Sequence, residues 1–321
     1  MNQTKGRKTL VLLGIMVFII VVSVMVTKLF SKTEEDTSGK LTIVTSFFPI
    51  YVASANVVDG MENVELVNLT ENVTGCLHDY QLTAKDMKKL EKADVFIING
   101  GGMEGFIEEV INNYPDITVI DASEGIPLID SETSETEETS EEQQEDQQDE
   151  HKEETNAHVW MNPGYYLVQI QNIKNGLCSY DKQNSEKYDE NADNYSKKVE
   201  EIKQEFETLS DPVNDQIVIF HNSFAYLAQQ LGLTVAHTVD MDGETSLSAG
   251  EIAEVVDEVN EKQIKVLITE KQFADTIANS IAKETDAKVY VLNSLVTGEF
   301  NKNAYIEGMK ENLETIKKAL Y

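Results

Sequence analysis

Five histidines occur in the 321 residues, and three of them fall where folded chains gather ligands. His78 lies in "TGCLHDYQLT", between two runs that read as strands. His158 lies in "NAHVWMNP", ahead of a helical run. His221 directly follows the apolar run "QIVIF", and Glu270 ends another, "IKVLITE". Imidazole nitrogen and carboxylate oxygen bind divalent metals, and three imidazoles suit tetrahedral zinc. A three-His zinc with an open fourth position is also the plan of a hydrolase or lyase centre, with Glu270 as its base. No His-Glu-x-x-His or other compact hydrolase signature accompanies these residues. Each residue also has a plainer reading. His78 suits a surface loop, His158 can pack on Trp160, and His221 can bond a backbone carbonyl. Glu270 can act as a brace that bonds backbone amides or orients a histidine.

Other candidates stay outside this set. His151 sits in a highly acidic stretch and reads as a solvated residue. His237, inside "LTVAHTV", reads as a packed strand residue. Cys76 precedes His78 by two residues, and a thiolate can bind zinc. Such a cysteine is more often a small buried hydrophobe. Cys76 and Cys178 form neither a disulfide framework nor a Cys-x-x-Cys site.

The elements that must position these residues follow an α/β pattern. "LTIVTSFF", "VELVNL", "DVFIING" and "ITVID" read as strands, and "YVASANVVDG", "LTAKDMKKLEKA" and "GGMEGFIEEVINN" as the helices between them. Thr83 is the expected N-cap of the second helix and Gly60 a C-cap of the first. Alternation of this kind predicts a parallel sheet. In such sheets ligands bind beyond the carboxyl ends of strands, where His78, His221 and Glu270 fall. Farther on, Tyr188, Ala192, Tyr195, Val199, Ile202, Phe206 and Leu209 recur every three or four residues as one helical stripe, stopped by Asp211-Pro212. This helix can act as a strut. The α/β pattern then repeats: "QIVIF", "SFAYLAQQLG", "LTVAHTV", "SAGEIAEVVDEVNEK" with a Ser248/Glu251 capping box, "IKVLITE", "FADTIANSIAKE", "KVYVLN" and a last helix. The expected fold is therefore two α/β lobes with a cleft between them that could gather the four ligands.

Composition limits the partners. The formal charge is −31, from 57 acidic and 26 basic residues, and this excludes nucleic acid, whose phosphates need basic patches. Hydrophobic residues make up 41%, enough for two real cores. A basic start, "MNQTKGRK", precedes the apolar run Thr9 to Val26, about 18 residues and near the lower limit for crossing ~30 Å of hydrocarbon. No small-x-small cleavage site clearly follows, and no Cys lies just after it for lipid attachment. An uncleaved membrane anchor with the body on the extracytoplasmic side is expected; a cleaved signal peptide is the competing reading. The expected domains are an anchor and polar tether (1–39), a first lobe (40–185), a connecting helix (186–211) and a second lobe (212–321). The first lobe holds an acidic loop at 130–155. Asp130 to Glu154 carries no apolar residue, cannot bury anything, and is expected to be disordered.

Several of these segments, taken in order, resemble the metal-binding solute-binding proteins of zinc and manganese ABC transporters. "SFFPIY", "LHDYQLTAKDMKKLEKADVFIINGGGME", "HVWMNP" and "FHNSFAYLAQQLGL" carry the resemblance, which spans Leu41 to the C-terminus. It implies two α/β lobes joined by a rigid helix, metal at the lobe interface, and no enzymatic activity. By position, His78, His158 and His221 match the family's histidine ligands. The acidic segment falls where zinc-binding members carry a His-rich, acidic loop, though this chain has almost no histidine there. Two further departures stand out. Family members are often lipoproteins, whereas a membrane anchor is expected here. The family's acidic fourth ligand is replaced in "LNSLV" by Asn293 and Val296, so Glu270, Glu299, Asn293 or water is left to fill that place. Manganese-type relatives tend to have Glu where this chain has His221, so Zn2+ is the expected cargo before Mn2+. The implied partner is an ABC permease, and the chain is expected to act as a monomer. An adhesin or metal sensor with a structural zinc is a further alternative.

Overall fold

A computed structural model describes residues 39–70, 77, 80–130, 155–209, 211–239, 247–271 and 274–321. The expected membrane anchor, most of the polar tether, Cys76, His78, His151 and nearly all of the acidic segment lie outside the described residues. Leu41–Tyr321 forms one compact unit.

The first sheet contains β1 (Leu41–Thr45), β2 (Val64–Asn68), β3 (Val95–Ile98) and β4 (Thr118–Asp121), in the order β2-β1-β3-β4 with every pair parallel. Its helices are α1 (Phe48–Val57), α2 (Ala84–Leu90) and α3 (Ile107–Asn113). β1 is shorter than its apolar run suggests. Pro49 occupies the first turn of α1, where its missing N–H costs nothing, so the helix begins at Phe48 with Phe47 as its extended N-cap, and neither residue of "FF" joins the strand. Thr83 caps α2 in a reciprocal box with Asp86. Burial opposes ionisation of Asp86, but hydrogen bonds from Thr83 and Tyr80 outweigh it and hold the carboxyl below its usual range.

A short antiparallel ladder follows, β5 (Ile129–Asp130) with β6 (Thr155–Asn156). It brackets the acidic segment at its base, and no hydrophobic pattern announced it. Two long helices come next, α4 (Pro163–Tyr180) and α5 (Ser185–Glu207). Asn162 caps α4 through Gly164 N–H, with Pro163 at its start. The stripe on α5 is buried as its spacing predicts from Tyr188 through Ala192, Tyr195, Val199 and Ile202 to Phe206, all at most 2% exposed, but the helix stops at Glu207, so Leu209 falls past its end and is half-buried. The link between the lobes is this packed pair of helices, where the stripe alone suggested one.

The second sheet contains β7 (Gln216–Ile219), β8 (Thr234–Thr238), β9 (Val266–Thr269) and β10 (Lys288–Val291), ordered β10-β9-β7-β8 and wholly parallel. Around it lie α6 (Ala225–Gln230), α7 (Ala249–Glu261), α8 (Asn279–Glu284) and α9 (Ala304–Leu320). The Ser248/Glu251 capping box of α7 is present in both directions. The two sheets share one topology. In each, the first strand lies between the second and third, and the fourth flanks the third. The crevice where crossovers change side therefore opens between the first and third strands of each sheet.

One apolar cluster runs through both lobes, from Ile43 and Phe47 through Trp160, Tyr166 and Tyr195 to Ile217, Ile268 and Met309. Aromatic and polar bridges reinforce it. Phe300 meets Phe48 and Tyr51 edge-on, Asn56 Nδ2 donates to Lys302 O, and the Trp160 indole N–H donates to Ser294 O. A shared core of this kind resists a wide hinge between lobes.

Candidate metal centre

Strand ends place His221 and Glu270. His221 follows β7 after Phe220 in extended backbone, and Glu270 follows β9 directly. β7 and β9 are the first and third strands of their sheet, so both residues stand at its switch point. Glu270 Oε1 lies 3.3 Å from His221 Nδ1 and 3.5 Å from Ser223 Oγ. A carboxylate accepts, so Nδ1 of His221 is the protonated nitrogen and Nε2 carries the lone pair. This is the carboxylate–histidine arrangement that orients metal-binding imidazoles.

His158 arrives by another route. It precedes a single 3-10 turn, Val159–Met161, and hangs from Asn156 at the end of β6. Asn156 Oδ1 accepts from His158 N at 3.0 Å and faces its Nδ1 at 2.8 Å. Asn156 Nδ2 donates to Asn222 O across the lobes, and its carbonyl accepts from the Tyr226 hydroxyl. These partners identify the oxygen of the amide, so His158 also carries its proton on Nδ1 and its lone pair on Nε2. The two rings meet edge to face, centroids 4.8 Å apart at 80°. Both histidines are nearly sealed from solvent, at 3% and 4% exposure, and Glu270 is at 5%. Trp160 tilts against His158 at 5.1 Å, so the plain packing partner foreseen for His158 is real alongside its contact with His221.

The other candidates divide. His78 lies outside the described residues; Leu77 beside it is fully buried, and Tyr80 bonds Asp86 through its hydroxyl. Asn293 Oδ1 accepts from Leu295 N, and its backbone bonds Asn312, so Asn293 shapes its own loop. Glu299 is exposed. His237 pairs with Glu258 of α7 at 2.6 Å, half-buried on its strand. Cys178 is an unpaired thiol on α4, and burial pushes it up. Among the described residues, no three His, Cys, Asp or Glu side chains converge on a single point. Glu270 stands behind His221 and faces its Nδ1.

Sequence reasoning missed Asn156, which orients His158, and Ser223, which touches Glu270. Asn two residues before a histidine is a turn-forming signal that spacing could have raised.

Two lobes of one topology, joined by paired helices, with buried imidazoles meeting between the second sheet and the β6 segment, have the plan of a metal-binding solute-binding protein. The family described as zinc-uptake complex component A, periplasmic (ZnuA) matches residues 43–319, and the chain belongs to it. This is a family of metal-binding transport proteins, not of enzymes, which removes the hydrolase reading. The chain is 29% identical to the high-affinity zinc uptake system protein ZnuA of Bacillus subtilis, over 90% of this chain and 91% of that one. It is 27% identical to the zinc-binding lipoprotein AdcA of Streptococcus pneumoniae, over 88% of this chain but 56% of AdcA. The structure of the Zn(II)-bound ZnuA-like domain of that AdcA superposes with a TM-score of 0.70 at 25% identity, covering 88% of this chain and 99% of that one. FpvC of Pseudomonas aeruginosa, solved with Mn2+, shares the fold at a TM-score of 0.75 and 24% identity, covering 88% of this chain and 98% of that one.

Proposed function

We propose that the chain captures Zn2+ outside the cytoplasmic membrane and delivers it to the permease of an ABC transporter. The observation that carries this reading is the contact of two buried imidazoles whose Nδ1 atoms both face acceptors, Asn156 Oδ1 and Glu270 Oε1. Each ring then presents Nε2 as a ligand. His158, His221 and His78 supply three nitrogens, and Glu270 orients His221 or adds an oxygen as fourth ligand. A nitrogen-rich set favours zinc over manganese, which prefers carboxylate oxygen. The names of the Bacillus and Streptococcus relatives support the same cargo. The metal bridges the lobe at 40–185 and the lobe at 212–321, which α4 and α5 link, and the segment before residue 40 tethers the monomer to the membrane. The decisive measurement is competition against a chelator of known affinity. One zinc per chain, bound far more tightly than Mn2+, supports the proposal; tighter binding of Mn2+ contradicts it.

Glu270→Gln tests the carboxylate. The amide oxygen can still accept from His221 Nδ1, but the charge is gone. Zinc affinity is expected to fall about 10–100-fold if Glu270 acts through His221, and further if it touches the metal. Unchanged affinity assigns Glu270 to the fold alone.

The acidic segment is tested by removing it. Asp130 and Thr155 face each other across an antiparallel pair, so a two-residue Asn-Gly turn can replace residues 131–154. Tight-site affinity is expected to stay unchanged at 0.15 M salt, where the Debye length is about 8 Å. Its collapse would show that the segment helps build the site.

A further inference from the structure

We propose that Asn99 is a positioning residue for the metal site: it holds the peptide that carries His158 at the angle where that imidazole meets His221. The inference rests on the reading of His158 as a zinc ligand. Asn99 follows β3 directly and is completely buried. Its Nδ2 donates to Gly100 O and to Ala157 O, each at 2.9 Å. Its Oδ1 accepts from Gln169 Nε2 of α4 at 2.8 Å. Its backbone N–H donates to Glu104 Oε1, and its carbonyl accepts from the Ser123 hydroxyl beyond β4.

The bond to Ala157 O matters most. Ala157 O and His158 N belong to one planar peptide. Asn99 grips that plane by its carbonyl, and Asn156 Oδ1 grips it by its N–H. With both ends held, the direction of the His158 side chain is set, and the bond from Nδ1 to Asn156 settles the turn of the ring. The orientation of the Asn99 amide is equally determined. Its NH2 faces two carbonyl oxygens and its oxygen faces the Gln169 NH2, so a flipped amide would set oxygen against oxygen twice.

The chain after β3 is shaped to lock Asn99. Gly100, Gly101 and Gly102 all have positive φ, and a Cβ at Gly100 would strike the Asp121 carboxylate. This bend returns Glu104 so that its two oxygens accept from Asn99 N and Gly100 N. Burial pushes the Glu104 carboxyl up to about 7 against those two bonds, so the group is retained at a desolvation cost. The strand order adds an independent argument. β3 is the third strand of its sheet as β9 is of the other. The residue after β9 is Glu270, which orients His221; the residue after β3 is Asn99, which orients the peptide of His158. A carboxylate would be repelled by the two carbonyl oxygens at this place, and an amide supplies the donors they need.

The test is a double-mutant cycle on the full chain, read as zinc affinity in chelator competition. Asn99→Ser is expected to weaken zinc about 10–100-fold, both alone and in a His221→Ala background. In a His158→Ala background it is expected to have no further effect, because the residue through which it acts is gone. An equal loss in the His158→Ala background would mean that Asn99 supports the lobe as a whole, and the proposal falls. Unchanged affinity in Asn99→Ser alone overturns it as well. If His158→Ala by itself leaves zinc binding intact, the ligand assignment has failed, and the inference with it. Gln169→Met covers the case where Asn99→Ser does not fold. It keeps Asn99 and removes the donor that orients its amide, and a His158-dependent weakening is again expected; a loss independent of His158, or none, overturns the proposal.

Discussion

Alanine at His158 or at His221 is expected to lower zinc affinity by more than the roughly 100-fold that loss of an outer partner costs at most. The argument is one of lone pairs. A neutral imidazole has a single lone pair, and both rings turn Nδ1–H toward an acceptor, which puts that lone pair on Nε2, the atom proposed to bind zinc. The rings are in contact and almost fully buried, so one ion can engage both without drawing either into solvent. On the proposed assignment, removal of either ring deletes a coordination bond, and water in its place is a weaker ligand. His237→Ala is the control. That residue is engaged with Glu258 on α7, and its loss is expected to leave zinc binding unchanged. Chelator competition separates these outcomes. Near wild-type affinity in either the His158 or the His221 variant would remove that residue from the site.

Trp160→Ala is expected to destabilise the metal-free protein by about 3–5 kcal/mol, the range for truncating a buried large aromatic. The indole is fully buried, packs edge-on against Phe47 at 5.0 Å, and lies against His158. Its N–H donates to Ser294 O beyond β10, so one side chain joins the segment that carries His158 to the second lobe. Alanine leaves a cavity and an unsatisfied carbonyl together. Trp160→Phe keeps most of the ring and loses only the donor, and about 1–3 kcal/mol is expected. Chemical denaturation measures both as a lower midpoint at unchanged slope. Trp160 is the only tryptophan, so the transition must be followed by circular dichroism. A Trp160→Ala midpoint equal to that of the parent would show that the lobes are secured elsewhere.

The elements of the fold were legible wherever their signals are local. The stripe on α5, the capping box of α7 and the Thr83 cap of α2 depend on residues three or four apart, and all are found where the spacing put them. The alternation of strands and helices was enough to predict two parallel sheets, because a parallel pair needs a crossover. The shared strand order of the two sheets was not legible, since any crossover helix permits several neighbours. The β5–β6 ladder went unseen for a related reason: two-residue strands flanking a long polar segment have no periodicity to read.

For the site, residue type and place on the chain made His158, His221 and Glu270 candidates, because imidazoles and a carboxylate at strand ends and in connecting loops are rare and chemically distinct. What they touch was decided by the tertiary structure alone. His221 meets Glu270 because β7 and β9 are neighbours in the sheet. His158 meets His221 because Asn156 bonds across to Asn222 while the peptide before His158 is held by Asn99. Asn293, a candidate for the fourth place by position, turns out to bond its own loop. Hydrogen bonds of this kind join residues far apart in the chain, and neither spacing nor composition records which partners the folded backbone will bring within 3 Å of one another.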